Sequence, residues 1–151
     1  MVGTDFRNVD IMIIMTPLKA TGITNVGDAY VHTGFQYAYN VVGKAVLDAM
    51  KAQVAAYPSY NLVVTGHSLG GSVGSFAALA LKEAFPNKPL KLFTFGELTS
   101  FDVFDARTSR SSLYIFGEGQ PRTGNAAFAS LVENRIGVNN IFRAVHTYGT
   151  Y

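Results

Sequence analysis

Residues 64–73 of the chain read VTGHSLGGSV, with Ser68 between Gly66 and Gly70. An apolar run precedes this stretch and an Ala- and Leu-rich run follows it, which places the serine where a strand gives way to a helix. Glycine on both sides allows the backbone to reverse sharply without a collision between side chains. The pattern predicts a nucleophile elbow that exposes Ser68 at the end of a strand. A glycine-rich structural turn is the alternative.

The rest of the chain alternates between strand-like runs and helical periods. Short apolar runs predict strands at 9–15, 60–66, 89–96 and 139–148. Helical spacing predicts helices at 35–57 and 72–85 and a shorter one within 120–137, and turn residues predict a loop at 18–28. This order of elements predicts an α/β layer joined by right-handed crossovers.

Two details of these elements follow from the residue types. The strand at 60–66 is short and β-branched, so we expect it to be buried on both faces. Pro17 is expected to close the first strand, and Pro58 to end the first helix. The apolar face of that helix is expected to consist of Phe35, Tyr39, Val42, Val46, Met50 and Val54.

Length, charge and residue composition limit the classes of function that are expected. A length of 151 residues predicts one domain over 1–151, and a formal charge of +2 argues against a nucleic-acid partner. No cysteine is present, and the histidines lie far apart in sequence, so neither a metal site nor a cofactor is expected. The run at 9–15 is too short for a transmembrane segment, and the start of the chain lacks a signal-peptide pattern.

A serine hydroxyl is a weak nucleophile, so a histidine must accept its proton and a carboxylate must orient that histidine. The amide of Leu69, at the start of the predicted helix, lies where an oxyanion would form. His67 directly precedes Ser68, and the side chains of adjacent residues diverge on a sharp turn. We expect His67 to give packing or polar support.

The chain resembles the fungal class 3 lipases of the α/β-hydrolase fold. The resemblance rests on the stretches GTD, VHTGF, YPSYNLVVTGHSLGG, LFTFG with QPRTGN, and NNIFRAVHTY, which follow the family order. It implies the central part of an α/β-hydrolase sheet with flanking helices. It also implies a secreted, extracellular enzyme that hydrolyses carboxylic esters, typically triacylglycerols, at a lipid–water interface.

The resemblance assigns roles to individual residues. Ser68 matches the nucleophile, and Thr4 matches an oxyanion-hole residue that works with the amide of Leu69. His32 matches a segment that we interpret as structural, and Arg122 and Asn125 look like turn and packing residues. The mechanism that the family implies needs no metal and no organic cofactor.

The chain departs from the family pattern in its expected triad. The family acid is expected close to Gly149, and the catalytic histidine further along the chain, so no catalytic Asp or His is identified. Asp102 and Asp105 have no assigned role, and His146 lies on a predicted strand. We therefore expect low esterase activity from the chain as written.

Other departures concern segments rather than single residues. Residues 97–119 interrupt the family pattern and are predicted to be an insertion, either a surface loop or translated non-coding sequence. Family strands before GTD and a family lid have no counterpart, so the domain is expected to be truncated at both ends and poorly soluble. The alternatives are a catalytically dead fragment or pseudo-enzyme, and a feruloyl-type or short-chain esterase.

Overall fold

The computed structural model describes residues 15–95 and 123–144. The strands are β1 (Met15–Pro17), β2 (Tyr30–His32), β3 (Leu62–His67), β4 (Leu90–Phe95) and β5 (Ile141–Ala144). The helices are α1 (Thr33–Ala56), α2 (Leu69–Ala84) and α3 (Ala126–Ile136), and a short 3₁₀ turn at Val138–Asn140 leads into β5.

A parallel sheet organises the described residues. The strand order is β3-β4-β5, with Val64 opposite Leu92 and Leu92 opposite Ile141. Helix α2 connects β3 to β4, and α3 precedes β5, so the parallel strands are joined through helices as βαβ units require. The α/β class predicted from the sequence is confirmed. Strand β1 pairs antiparallel with β2 outside this sheet.

The core is built around α2, whose inward and lateral faces are both buried. Phe76 is fully buried, stacks on Tyr39 of α1 at 5.7 Å between ring centroids, and lies 5.4 Å from the ring of Phe128 of α3. Leu79 is also fully buried. A helix that is apolar almost all round is one that other elements surround. None of the described helices combines the length and apolarity needed to cross a membrane.

The predicted inward face of α1 is wrong at one position. Val42 is exposed, and the buried stripe passes instead through Gly43 and Leu47. The ring of Tyr39 lies over Gly43, where an added Cβ would come within 2.9 Å of the ring carbon Cζ. The Tyr39 hydroxyl donates to the carbonyl of Thr21 at 2.9 Å, and burial raises the pKa of Tyr39 to about 12. A glycine therefore replaces the expected valine in the packed face.

Strand β3 also differs from expectation. Val63 is 63% exposed, so the face that it shares with Thr65 and His67 is open, whereas Leu62 is buried. Among the described residues, helix α2 packs against β3 and β4, while Val63 stays exposed, and the β-branched composition of the run does not distinguish these two faces. Strand β1 ends at Pro17, which pairs with Tyr30, as expected of the residue that closes the first strand. Residues 9–14, the predicted insertion at 97–119 and positions 145–148 lie outside the described residues.

Candidate active site

Ser68 lies between the end of β3 and the first residue of α2, and its backbone is strained. Its φ is 50° and its ψ is −123°, a region that residues with a Cβ rarely occupy. The amide of Ser68 donates to the carbonyl of Phe95 at 3.0 Å. Its carbonyl accepts from the amides of Gly71 at 2.9 Å and Ser72 at 3.4 Å. Strand β4 and the first turn of α2 thus hold the strained residue from both sides.

The glycines of the elbow (residues 66–70) differ in what their surroundings require. A Cβ added to Gly66 would overlap the carbonyl of Gly70 and lie 2.7 Å from the amide nitrogen of Gly71. Those neighbours are backbone atoms and cannot move aside, so only glycine fits at position 66. A Cβ at Gly70 would meet no atom of the described chain within 4 Å. The close approach of strand and helix therefore depends on Gly66.

The side chain of Ser68 is uncommitted in the described part of the chain. Serine at the residue before a helix normally accepts a hydrogen bond from an amide of the first turn. Ser68 holds this position in α2, but its side chain makes no such bond. Within 15–95 and 123–144, its hydroxyl has no hydrogen-bond partner. The hydroxyl is therefore free to meet a ligand.

The amide of Leu69 is the first amide of helix α2. The first amides of a helix have no acceptor inside the helix, and the helix dipole adds partial positive charge there. Such a terminus stabilises an anion placed close to it. The side chain of Leu69 is 39% exposed and that of Phe95, whose carbonyl binds the Ser68 amide, is 43% exposed. The surroundings of the serine thus combine amide donors with apolar surface.

Neither of the described histidines makes a hydrogen bond to Ser68. Nδ1 of His32 accepts from the amide of Gly34 at 3.1 Å, and the His32 ring stacks on Phe35 at 4.2 Å. Burial lowers the pKa of His32 below its ordinary value. This is the structural role expected for His32, at the start of α1. His67 is the last residue of β3, is exposed, and lies opposite Phe95 in the sheet register.

Asn125 connects α3 to β2, which agrees with the packing role expected of it from the sequence. Its side-chain Oδ1 accepts from the amides of Phe128 at 2.9 Å and Tyr30 at 3.1 Å, and its Nδ2 donates to the carbonyl of Asp28 at 2.9 Å. It therefore begins α3 and ties that helix to β2. The remaining sequence-predicted positions fall outside the described residues; they are Thr4, Asp102, Asp105, Arg122, His146 and Gly149.

Sequence reasoning missed a pair of buried hydroxyls beside the elbow. Thr123 Oγ1 donates to Ser72 Oγ at 2.9 Å, although the two residues lie far apart in sequence. The available signal was Ser72 itself, a polar residue at the start of a run that is otherwise apolar. Among the described residues, no group of acidic, histidine or cysteine side chains could hold a metal ion.

The family model described as lipase (class 3) matches residues 6–111. The chain belongs to the class 3 lipase family. The chain is 38% identical over 87 residues to a secreted alkaline triacylglycerol lipase of Penicillium cyclopium, an alignment that covers 58% of the chain and 30% of the relative. It is 36% identical over 117 residues to secreted mono- and diacylglycerol lipase 1 of Fusarium solani, covering 77% of the chain and 27% of the relative.

A solved structure is also similar to this chain. The crystal structure of a triacylglycerol lipase from Penicillium expansum aligns with a TM-score of 0.64 and 26% identity, covering 89% of the chain and 42% of that structure. The chain therefore spans less than a third of the length of the curated relatives named above. Thr4 lies before the part that the family model matches.

Proposed function

We propose that this member of the class 3 lipase family hydrolyses carboxylic esters, with Ser68 as the nucleophile. The observation that carries the proposal is the strained backbone of Ser68 between β3 and α2, with φ at 50°. Such strain persists only where the surrounding structure enforces it, and it concentrates at active sites. An exposed serine on a strand-to-helix turn is the arrangement that serine hydrolases of this fold class use.

The chemistry that we propose proceeds in two steps. Ser68 Oγ attacks the ester carbonyl carbon, and the carbonyl oxygen becomes an oxyanion that accepts from the Leu69 amide, with Thr4 as the proposed second donor. The alcohol then leaves with the proton taken from Ser68, which gives an acyl-serine ester. Water attacks this ester, releases the fatty acid and restores the serine hydroxyl. No metal is needed for either step.

We propose that the proton acceptor comes from outside the described residues. His32 uses Nδ1 to accept from Gly34, and no described histidine hydrogen-bonds to Ser68. Loss of the histidine leaves a serine hydrolase with only about 10³- to 10⁴-fold acceleration over water, so fast turnover depends on that proton acceptor.

The proposed substrates are acylglycerols, and the proposed site of action is a lipid–water interface outside the cell. The relatives described above are named triacylglycerol lipase and mono- and diacylglycerol lipase, and both are named as secreted. The partly exposed Leu69 and Phe95 beside Ser68 support an apolar acyl group at this place. Apolar surface that is left exposed commonly marks a ligand or membrane contact.

A covalent probe tests the proposal without depending on fast turnover. The 151-residue protein is incubated with an alkyl p-nitrophenyl phosphonate, and the adduct is mapped by mass spectrometry. We expect one adduct, on Ser68, that is absent from the Ser68→Ala variant and from chain unfolded in urea. Tributyrin hydrolysis is measured on the same samples. A chain that is folded by circular dichroism but stays unlabelled, while the Penicillium expansum lipase is labelled, would contradict the proposal.

A further inference from the structure

Ser72 and Thr123 form a pair of buried, hydrogen-bonded hydroxyl groups beside the elbow. Ser72 lies one helical turn after Ser68, and its amide donates to the Ser68 carbonyl at 3.4 Å. The residue has 0% relative exposure and is surrounded by the apolar positions of α2. A buried hydroxyl costs free energy unless it is hydrogen-bonded. The bond from Thr123 Oγ1 at 2.9 Å meets that requirement.

Thr123 connects this turn of α2 to a different part of the fold. Its carbonyl accepts from the amide of His32 at 2.9 Å, and the next residue, Gly124, forms a bridge with Val31. Thr123 is itself only 9% exposed. Its backbone is therefore fixed to β2, while its side chain is fixed to the helix that begins at the elbow.

This linkage bears on the geometry of Ser68. The Ser68 carbonyl is held by the amides of Gly71 and Ser72, so any displacement of the first turn of α2 moves the serine. The Leu69 amide belongs to the same turn and moves with it. Apolar packing alone would resist separation of the helix and β2 but would not fix their register. A buried hydrogen bond is directional and strengthened by its low-dielectric surroundings.

We propose that Thr123 and Ser72 are positioning residues that hold Ser68 and the Leu69 amide in a reactive arrangement. This inference rests on the function proposed above. The pair acts through the first turn of α2 and does not itself touch the reacting ester. Its contribution is to the rate of reaction at Ser68 rather than to the binding of an acyl chain.

The experiment measures how fast the phosphonate labels Ser68 in full-length chain carrying single substitutions. Thr123→Val keeps the side-chain shape and removes the hydroxyl, and Thr123→Ser restores it. Ser72→Ala removes the acceptor. Thr21→Val is the matched control, because it deletes a hydroxyl that bonds to Asn40 Oδ1 at 3.2 Å away from the elbow. Rates are measured below the unfolding transition of each variant, over a range of probe concentrations.

We expect Thr123→Val and Ser72→Ala to lower the limiting labelling rate by about tenfold, with half-saturation by the probe unchanged. Thr123→Ser is expected to stay within about twofold of the parent chain, and Thr21→Val likewise. The effect of the double variant Thr123→Val/Ser72→Ala should be smaller than the product of the two single effects, because both substitutions remove the same shared bond. Equal labelling of the Thr123→Val variant and the parent chain would overturn the inference. Absence of labelling in the parent chain would instead contradict the proposed function.

Discussion

Helix α2 begins and ends in opposite ways. Ser68, which precedes the first residue of α2, has a strained backbone, and its side chain makes no hydrogen bond to the helix. At its other end Lys82 donates to the carbonyls of Pro86 at 2.8 Å and Lys88 at 3.2 Å. Glu83 binds Arg135 of α3 at 2.7 Å and accepts from the amide of Thr24 at 3.0 Å. Within the described residues, the amides of Leu69 and Gly70 at the beginning of the helix have no acceptor, whereas the charged side chains at its end are hydrogen-bonded.

Polar contacts stabilise the fold at the end of α2, whereas we propose that the elbow at its beginning meets a ligand. Arg135 also donates to the carbonyls of Thr24 and Asn25, so the polar cluster fastens the loop before β2 to α3. Partial burial raises the pKa of Glu83, but the hydrogen bonds from Thr24 and the charge and hydrogen bond of Arg135 outweigh this, so the pKa is lowered overall. Strain at one end of α2 is tolerated because packing and polar contacts elsewhere hold the helix in place.

The largest expected effect is at the elbow glycines. Gly66→Ala forces a Cβ against the backbone of Gly70 and Gly71, and we expect it to lower the free energy of unfolding by about 3 kcal/mol. Gly70→Ala is the matched control and should change it by less than about 0.5 kcal/mol, because no described atom lies in the way. Urea unfolding followed by circular dichroism measures both. Equal costs at the two positions would show that the close approach at Gly66 does not limit the fold.

A somewhat smaller effect is expected at the other end of α2. Arg135→Met leaves the half-buried carboxylate of Glu83 without its cation and should lower the free energy of unfolding by about 2 kcal/mol. Lys44→Met breaks the exposed ion pair with Asp48 and should cost less than about 0.5 kcal/mol. Phosphonate labelling of Ser68 in folded Arg135→Met should match the parent chain. A large loss of labelling would mean that the two ends of α2 are coupled.

The smallest expected effect is a pH dependence at His32. Burial lowers the pKa of His32, so the unfolded chain takes up this proton at a higher pH than the folded chain does. The contribution of His32 is complete above about pH 6.5 and is lost as the pH falls through the lowered pKa, because protonated Nδ1 cannot accept from Gly34.

His32→Asn keeps an acceptor at the start of α1 but does not titrate. We expect the stability of this variant to decline less between pH 7 and pH 5, by at most about 1 kcal/mol relative to the parent chain. Thermal unfolding across this pH range measures the slope. An identical slope in both proteins would show that protonation of His32 does not contribute to the pH dependence of stability.

The sequence predicts the elements whose signals are local. The helices, the strands of the parallel sheet and the turn at Ser68 each have an apolar period or a glycine pattern within a few residues. Strand β2 was missed because Tyr30–His32 is short and is defined by its pairing with β1 and Gly124. The bond between Ser72 and Thr123 was missed for the same reason, since only the fold brings those residues together.

The candidate active site was likewise predictable only where its residues are close together in sequence. The motif around Ser68 locates the serine and the Leu69 amide because both belong to one turn. It does not locate a proton acceptor, an acid or a second oxyanion donor, all of which we propose to come from segments distant in sequence. The exposure of Val63 was not predictable from β3 itself, because burial of a strand face depends on which helices cover it.

The most direct test of backbone strain at Ser68 compares the variants Ser68→Gly and Ser68→Ala by urea unfolding. Both variants lose the hydroxyl, but only glycine occupies φ 50° and ψ −123° without strain. If the fold holds Ser68 in a strained conformation for reactivity, the glycine variant should be more stable than the alanine variant by about 1 kcal/mol, and neither should be labelled. A glycine variant that is no more stable than the alanine variant would contradict the claim that the elbow stores strain.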